Sequence, residues 1–303
     1  MSPDDVDQPL AHPVGSGAAA PPAGWSASLE LRFERRGAAT RLVSNRHRGP
    51  LRLLRALPQS DGSCEAVIVH PPGGLVGGDS LDLDVQVGPS SHLLCTTPGA
   101  QKWYRSAQFQ ARAVTRVSVG SESMLEWLPQ PAIVYEGAHV DQTVRFQLAP
   151  DARMIGWECL VLGRGGMGER FTRGSLRQRL SLAVDGRLAW IEQTRADAGD
   201  RLFASPLGWR GHCVSGTVWA VGPSTGSLLS EWRGILDAFE DRGRQDGAAR
   251  FEGGASHTTP TLLLARLLAG DAAPVIEASR ALWAAARPLV LDRPAALPRI
   301  WST

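Results

Sequence analysis

Lysine is all but missing from this chain. Among 303 residues only Lys102 carries an ammonium group, and arginine supplies the rest of the positive charge. A formal net charge of +2 excludes a global field that would gather nucleic acid or an anionic membrane. Cysteine is scarce and scattered: Cys64, Cys95, Cys159 and Cys213 form no C-x-x-C pair. That spacing fits neither a clustered zinc site nor a disulfide framework, so buried free thiols in a reducing cytoplasm are expected. No apolar run approaches the roughly 20 residues of a membrane-spanning helix. The N-terminus presents Asp4, Asp5 and Asp7 where a secretory signal needs basic residues. Residues 1–24, rich in Pro, Gly and Ala, are expected to form a disordered tail ahead of one domain over 25–303.

Catalytic and nucleotide motifs are equally sparse. No Walker loop is present, so hydrolysis of a nucleoside triphosphate by this chain is not expected. Gly163-Arg164-Gly165-Gly166-Met167-Gly168 matches the spacing of a dinucleotide fingerprint. The fingerprint needs a helix starting at the glycines, and the residues that follow read as an alternating strand, which argues against it. His12, His47, His70, His92, His139, His212 and His257 form no H-x-H or H-E-x-x-H clip, so each reads first as a surface or hydrogen-bonded residue.

What the chain does have is strand periodicity. Leu81, Leu83, Val85 and Val87 alternate with Asp82, Asp84 and Gln86; Val140, Gln142, Val144, Phe146 and Leu148 alternate with Asp141, Thr143, Arg145 and Gln147. Leu176, Leu180 and Leu182 share a third such face. Further strands are predicted at 28–35, 39–45, 64–70, 91–97, 112–119, 123–128, 153–162, 187–194 and 214–221, separated by Gly, Pro and Asp turns. Many short strands without intervening helices predict a mainly β fold, sandwich-like or a β-helix-like stack, over about 25–222. No fixed repeat length decides between the two. A small helical portion is expected over about 223–303. Leu228, Trp232, Ile235, Leu236 and Phe239 fall on one helical face, as do Val275, Ile276, Ser279, Leu282, Trp283 and Ala286. Leu262–Leu268 reads as a third short helix, and Pro288 as the end of the last one.

The densest signal runs from His70 to Arg105. Two glycine pairs flank Leu75-Val76, Asp79 follows, and Thr96-Thr97-Pro98-Gly99 and Lys102-Trp103-Tyr104-Arg105 come after the next strand. Glycine pairs behind Pro71-Pro72 point to a built site. Three acids stand out: Asp79 after the glycines, Glu136 after the apolar run Ile133-Val134-Tyr135, and Glu158 inside an otherwise apolar strand. A carboxylate so placed is paired, metal-bound or facing water. A buried ion pair with Arg105 or Arg164 is one reading; a polar passage for a divalent cation is the other. From Arg32 to Arg55 eight arginines face Glu34 alone. That stretch is either a solvated strand face or a surface for an anionic partner, with acidic protein favoured over nucleic acid because Phe33 is its only aromatic.

The His70–Arg105 stretch resembles the signature region of the urease accessory proteins called UreD (UreH in some organisms). The resemblance extends to Leu125-Glu126-Trp127-Leu128-Pro129-Gln130 with Ile133–Ala138, to Gly156-Trp157-Glu158 and Leu162–Glu169, and to Arg287-Pro288 with Pro298-Arg299-Ile300-Trp301, in the family's order. Two departures are His70, where the family often has Asn, and Pro131, where it usually has Glu. The resemblance implies a maturation chaperone and not an enzyme, with a mostly β stack of strands. It implies UreF-like and UreG-like partners, docking on apo-urease, no tightly bound cofactor, and nickel in transit through a tunnel. Asp79, Glu136 and Glu158, with the hydroxyls of Thr96 and Thr97, then become the expected nickel path. The Arg-rich face would meet apo-urease, and Trp232, Trp283 and Leu262–Leu268 would meet the UreF-like partner. The competing reading is an all-β hydrolase or lyase at the Gly73–Asp79 loop, with Asp79 as general base beside Lys102 or Tyr104. A nucleic-acid-binding β domain using Arg32–Arg55 is a third.

Overall fold

The computed structural model describes residues 24–107, 109–223, 225–245 and 250–302. Apart from Gly24, the expected tail lies outside them. Strands β6 (Ser80–Val87), β9 (Ala111–Val119), β12 (His139–Leu148) and β14 (Ser175–Val184) are successive parallel neighbours. Leu83, Thr115, Val144 and Leu180 share one rung, and Val85, Val117, Phe146 and Leu182 another. A second sheet repeats the pattern with β4 (Cys64–Val69), β7 (His92–Thr96), β10 (Met124–Leu128) and β13 (Arg153–Leu162). Short strands β5 (Gly74–Leu75), β8 (Gln101–Trp103) and β11 (Ala132–Val134) form a narrow third face. The chain therefore winds β4-β5-β6, β7-β8-β9, β10-β11-β12, β13-β14. Of the two predicted architectures it is the β-helix-like stack. The rungs align although the residue spacing between them varies, which is why no fixed repeat is visible in the sequence.

Antiparallel strands close the ends of the stack. β1 (Ser26–Arg36) runs parallel to β6, and β2 (Ala39–Arg48) pairs back along it as the outermost strand of the first sheet. β3 (Arg52–Pro58) is the outermost strand of the second. At the far end lie β15 (Arg187–Asp197) on the first sheet and β16 (Val214–Val221), β18 (Leu262–Ala269) and β17 (Phe251–Thr259) on the second. α1 (Arg201–Ala204) is a single turn; α2 (Thr225–Gln245) and α3 (Ala272–Leu291) cover the outer face of the second sheet.

This layering explains the strand patterns. The first sheet is solvated on its outer face, so its strands alternate; the second is buried on both faces, so β13 reads as an almost continuous apolar run. One core, with Phe33, Trp103, Phe146 and Trp219, fills the space between the sheets. A second, with Trp232, Trp283 and Leu282, lies between sheet and helices. Each of these aromatic rings is fully buried, worth roughly 2–3 kcal/mol apiece.

The second core is fastened by an ion pair. Glu126 of β10 is fully buried. It sits 2.8 Å from Nε2 of His92 and accepts from Nε1 of Trp283 at 2.7 Å and from Nε of Arg287 at 3.0 Å. Burial opposes its ionisation, but the hydrogen bond and charge of His92 and the Arg287 guanidinium outweigh that and hold the carboxyl below its ordinary value.

Several expectations change. Leu262–Leu268 is strand β18 and not a helix: its apolarity reflects a strand between β16 and β17 that packs on both cores. Pro288 does not end α3, which continues to Leu291 and terminates at Asp292 in the left-handed region (φ 55°). Trp232, Trp283 and most of Leu262–Leu268 are buried inside the chain and are not a partner surface. The strands at β3 and β17, absent from the sequence reading, are edge strands without clean alternation. Among the described residues no helix is long and apolar enough to cross a membrane.

Candidate functional site

A cavity of about 410 Å³ lies between the two main sheets. Its walls are apolar where Leu81, Leu83, Trp127 and Val144 meet, and polar at His70, Thr96, Thr97, Lys102, Gln142 and Glu158. The exposed residues Pro71, Pro98 and Gly99 form its rim at the β4–β5 and β7–β8 turns. A smaller hollow of about 30 Å³, room for a water or a bare ion, continues from Glu158 to Gln178, Glu192, Thr194, Ser215 and Thr217. Both spaces touch Glu158, so a polar line follows the axis of the stack from the turns at its rim to β15 and β16. At that far end the Arg266 guanidinium pairs with Glu192 and lies 3.5 Å from the Thr217 hydroxyl.

Strand register builds this line. The rung that begins with the apolar pair Leu81 and Ala113 continues as Gln142 and Gln178, so the inward position turns from apolar to amide partway along the stack. Gln178 donates to Glu158 at 2.9 Å and lies 3.5 Å from the Gln142 side-chain oxygen. Glu158 has no cationic partner in this line. Burial, reinforced by the charge of Glu192, pushes its carboxyl up to about 8, so it carries a proton at neutral pH.

The sequence-derived residues fall in three places. Glu158, Thr96 and Thr97 line the cavity. Thr96 donates to the Leu128 carbonyl at 2.6 Å and accepts from Nε1 of Trp301 at 2.9 Å; Thr97 accepts from the Gln130 N–H and lies 3.2 Å from the Gly99 carbonyl. Asp79 is buried beside the cavity but is not part of its wall: one oxygen accepts from the Trp25 N–H and the other from the Val76 N–H, each at 2.8 Å. Glu136 lies at a surface cleft with Tyr104, Tyr135 and Glu169. Partial burial disfavours its charge, but the Thr172 N–H, the Arg173 guanidinium, the Thr172 hydroxyl and the Arg173 N–H together hold it down at about 2. The predicted partners also change. Arg164 pairs with Glu169, and Arg105 packs its stem under Gly137, whose φ of 76° excludes a larger residue.

The glycine pairs prove to be structural devices. Gly73 and Gly78 take positive φ, while a side chain on Gly74 would meet Tyr104 at 2.5 Å and the Lys102 carbonyl at 2.6 Å. They seat the β4–β6 turn tightly against β8 and so shape the cavity rim. Gly165–Met167 makes one 3-10 turn, with no helix to receive a pyrophosphate. Sequence reading missed Glu192 and the Gln142–Gln178 pair. Their signal was a break in the apolar column, which appears only once the rungs are aligned. Among the described residues no three His, Cys, Asp or Glu side chains converge on one point. All four cysteines are free; burial pushes Cys95 and Cys159 up to about 12, far from thiolate chemistry.

The fold is a β-helical stack with a polar line in its interior. Comparison with known proteins makes the class specific. The family model described as UreD urease accessory protein matches residues 26–302. The chain is 44% identical over 281 residues to the urease accessory protein UreD of Azoarcus sp. (strain BH72), covering 92% of this chain and 95% of that protein. It is 41% identical to the UreD protein of Dechloromonas aromatica (strain RCB) and 42% identical to that of Pseudomonas aeruginosa, with the same coverage. The chain belongs to the UreD family of urease accessory proteins, whose members serve urease maturation and are not enzymes.

Proposed function

We propose that this protein assists insertion of nickel into apo-urease, acting in a complex with a UreF-like and a UreG-like partner and offering the ion a polar route along the axis of its strand stack. One observation carries this reading: the interior of an accessory protein of urease holds a cavity that ends on Glu158, a half-buried carboxyl whose neighbours are the Gln178 amide and Glu192 and which forms no ion pair among the described residues. A divalent cation that displaced its proton would meet the ionised carboxylate there and supply the counter-charge that form lacks. Oxygen donors without a converging nitrogen or thiolate set suit an ion that must be released. In this reading Thr96, Thr97 and Glu158 meet the ion; Glu192, beyond them, is already paired with Arg266. Asp79 and Glu136, whose oxygens are engaged by main-chain N–H groups and Arg173, hold the surrounding turns in place.

The test is co-expression with the UreF-like and UreG-like proteins and apo-urease in nickel-supplemented cells. Glu158→Ala is expected to leave the complex intact on purification and to lower nickel-dependent urease activity at least tenfold. Full activation by that variant would remove the conduit and leave only the scaffold. The hydrolase or lyase reading fares worse, because Asp79 is bound by main-chain N–H groups at both oxygens and is not part of the cavity wall.

A further inference from the structure

Both sheets end on the same side of the molecule in a strand with only one neighbour. β2 is the last strand of the first sheet and β3 the last of the second, and the two touch where the chain passes from one to the other. Among the described residues, the main-chain groups of β2 and β3 that face away from β1 and β4 therefore lie along open edges, apart from the Thr40 N–H, which donates to the Gly62 carbonyl. Proteins ordinarily blunt such edges, and long ones are templates for a partner. The side chains here carry a specific chemistry. Arg41, Arg46, Arg48, Arg52 and Arg55 are exposed. Among the described residues none of the five forms an ion pair: Glu34 is taken by Arg32 and Arg36, Arg52 meets only the His47 ring at 3.3 Å, and Arg55 feels Glu65 at longer range. Between them stand the exposed apolar residues Val43, Leu54 and Leu57.

We infer that the β2–β3 end of the stack is a docking surface for an acidic face of a protein partner, with the arginines meeting carboxylates and Val43, Leu54 and Leu57 forming the dry centre. Guanidinium groups engage carboxylates bidentately, and they keep their charge on desolvation. The apolar residues between them favour protein over nucleic acid, because phosphate contacts gain nothing from Val43, Leu54 and Leu57. The location adds a reason. Leu51, between β2 and β3, forms part of the cavity wall, and Arg52 pairs with Val69, next to His70 and Pro71 at the rim. A partner seated on this end lies beside the opening of the interior passage. This inference rests on the maturation reading for the identity of that partner, which is then the urease apoprotein.

The experiment uses the full chain and captures purified urease apoprotein at increasing salt. Reversing Arg46, Arg48, Arg52 and Arg55 to Glu is expected to weaken capture at least tenfold. Reversing the exposed Arg187 and Arg195 at the opposite end is expected to change it less than twofold. Should the fourfold variant fail to fold, judged by its melting curve, Arg48→Gln with Arg52→Gln is read instead, with a threefold or greater loss expected. Undiminished capture by a folded variant overturns the docking surface while the maturation reading stands. Stronger retention of the wild-type chain on duplex DNA than on urease apoprotein also overturns it. If the wild-type chain neither captures the apoprotein nor promotes activation in cells, both fall together.

Discussion

Glu126 and Glu158 sit on two strands that run side by side in one sheet, both enclosed by protein, and their chemistry is opposite. Glu126 points to the helical side, where His92, Trp283 and Arg287 saturate it and keep it ionised. Glu158 points to the space between the sheets, where an amide is its nearest partner, Glu192 repels it, and burial keeps it protonated. The first region is filled with aromatic rings; the second holds the cavity. A buried acid with every lone pair engaged is a fastener. An acid facing the cavity without a cationic neighbour stays protonated instead.

That contrast breaks most visibly at the fastener. Removing one partner from a saturated buried ion pair leaves the other charge stranded, so Glu126→Ala is expected to destabilise the fold by about 3–5 kcal/mol in urea unfolding, with Arg287→Ala close behind. A loss under about 1 kcal/mol would mean that α3 is held by its apolar face alone. The cavity glutamate predicts the reverse sign. A carboxyl raised in the folded state favours folding below its ordinary value of 4.5 and loses that contribution as pH rises toward about 8. Glu158→Gln is therefore expected to match the wild type near pH 4.5 and to exceed it by on the order of 1–3 kcal/mol at pH 8. Glu126 works in the other direction: its contribution is complete above 4.5 and is lost as pH falls through its depressed value. Thermal melts of both Gln variants across pH 4–9 separate the two. Parallel curves would end the distinction between them. The smallest effect belongs to Glu136, saturated like Glu126 but near the surface. Glu136→Gln is expected to cost about 1 kcal/mol and to loosen the 163–174 loop, read as faster amide exchange at Thr172 and Arg173.

The resemblance drawn from the sequence identified the family, and the strand alternation identified a mainly β fold without choosing between sandwich and stack. The site was only partly legible. Glu158 stood out as a lone acid in an apolar strand and does face the cavity, with Thr96 and Thr97 on the same walls. Asp79 and Glu136 gave equally strong signals for a different reason: each gathers main-chain N–H groups from segments distant in sequence, which no local pattern reveals. Glu192 gave no signal at all, being one acid in an exposed, alternating edge strand, and it matters only because β15 folds back onto β14 beside Glu158.

Local order came from the sequence alone. Period-two alternation specifies a strand with one wet face, and the apolar faces of 225–245 and 272–291 specify helices that must cover something; both follow from backbone geometry within a few residues. Only the tertiary structure decided how coils of unequal length stack in register. It also turned Leu262–Leu268 into a strand, buried Trp232 and Trp283 within the chain, and determined which acids met a cation and which met none. Register and charge pairing are contacts between residues far apart in sequence. Their energies depend on what the turns bring alongside, and a one-dimensional pattern does not contain that information.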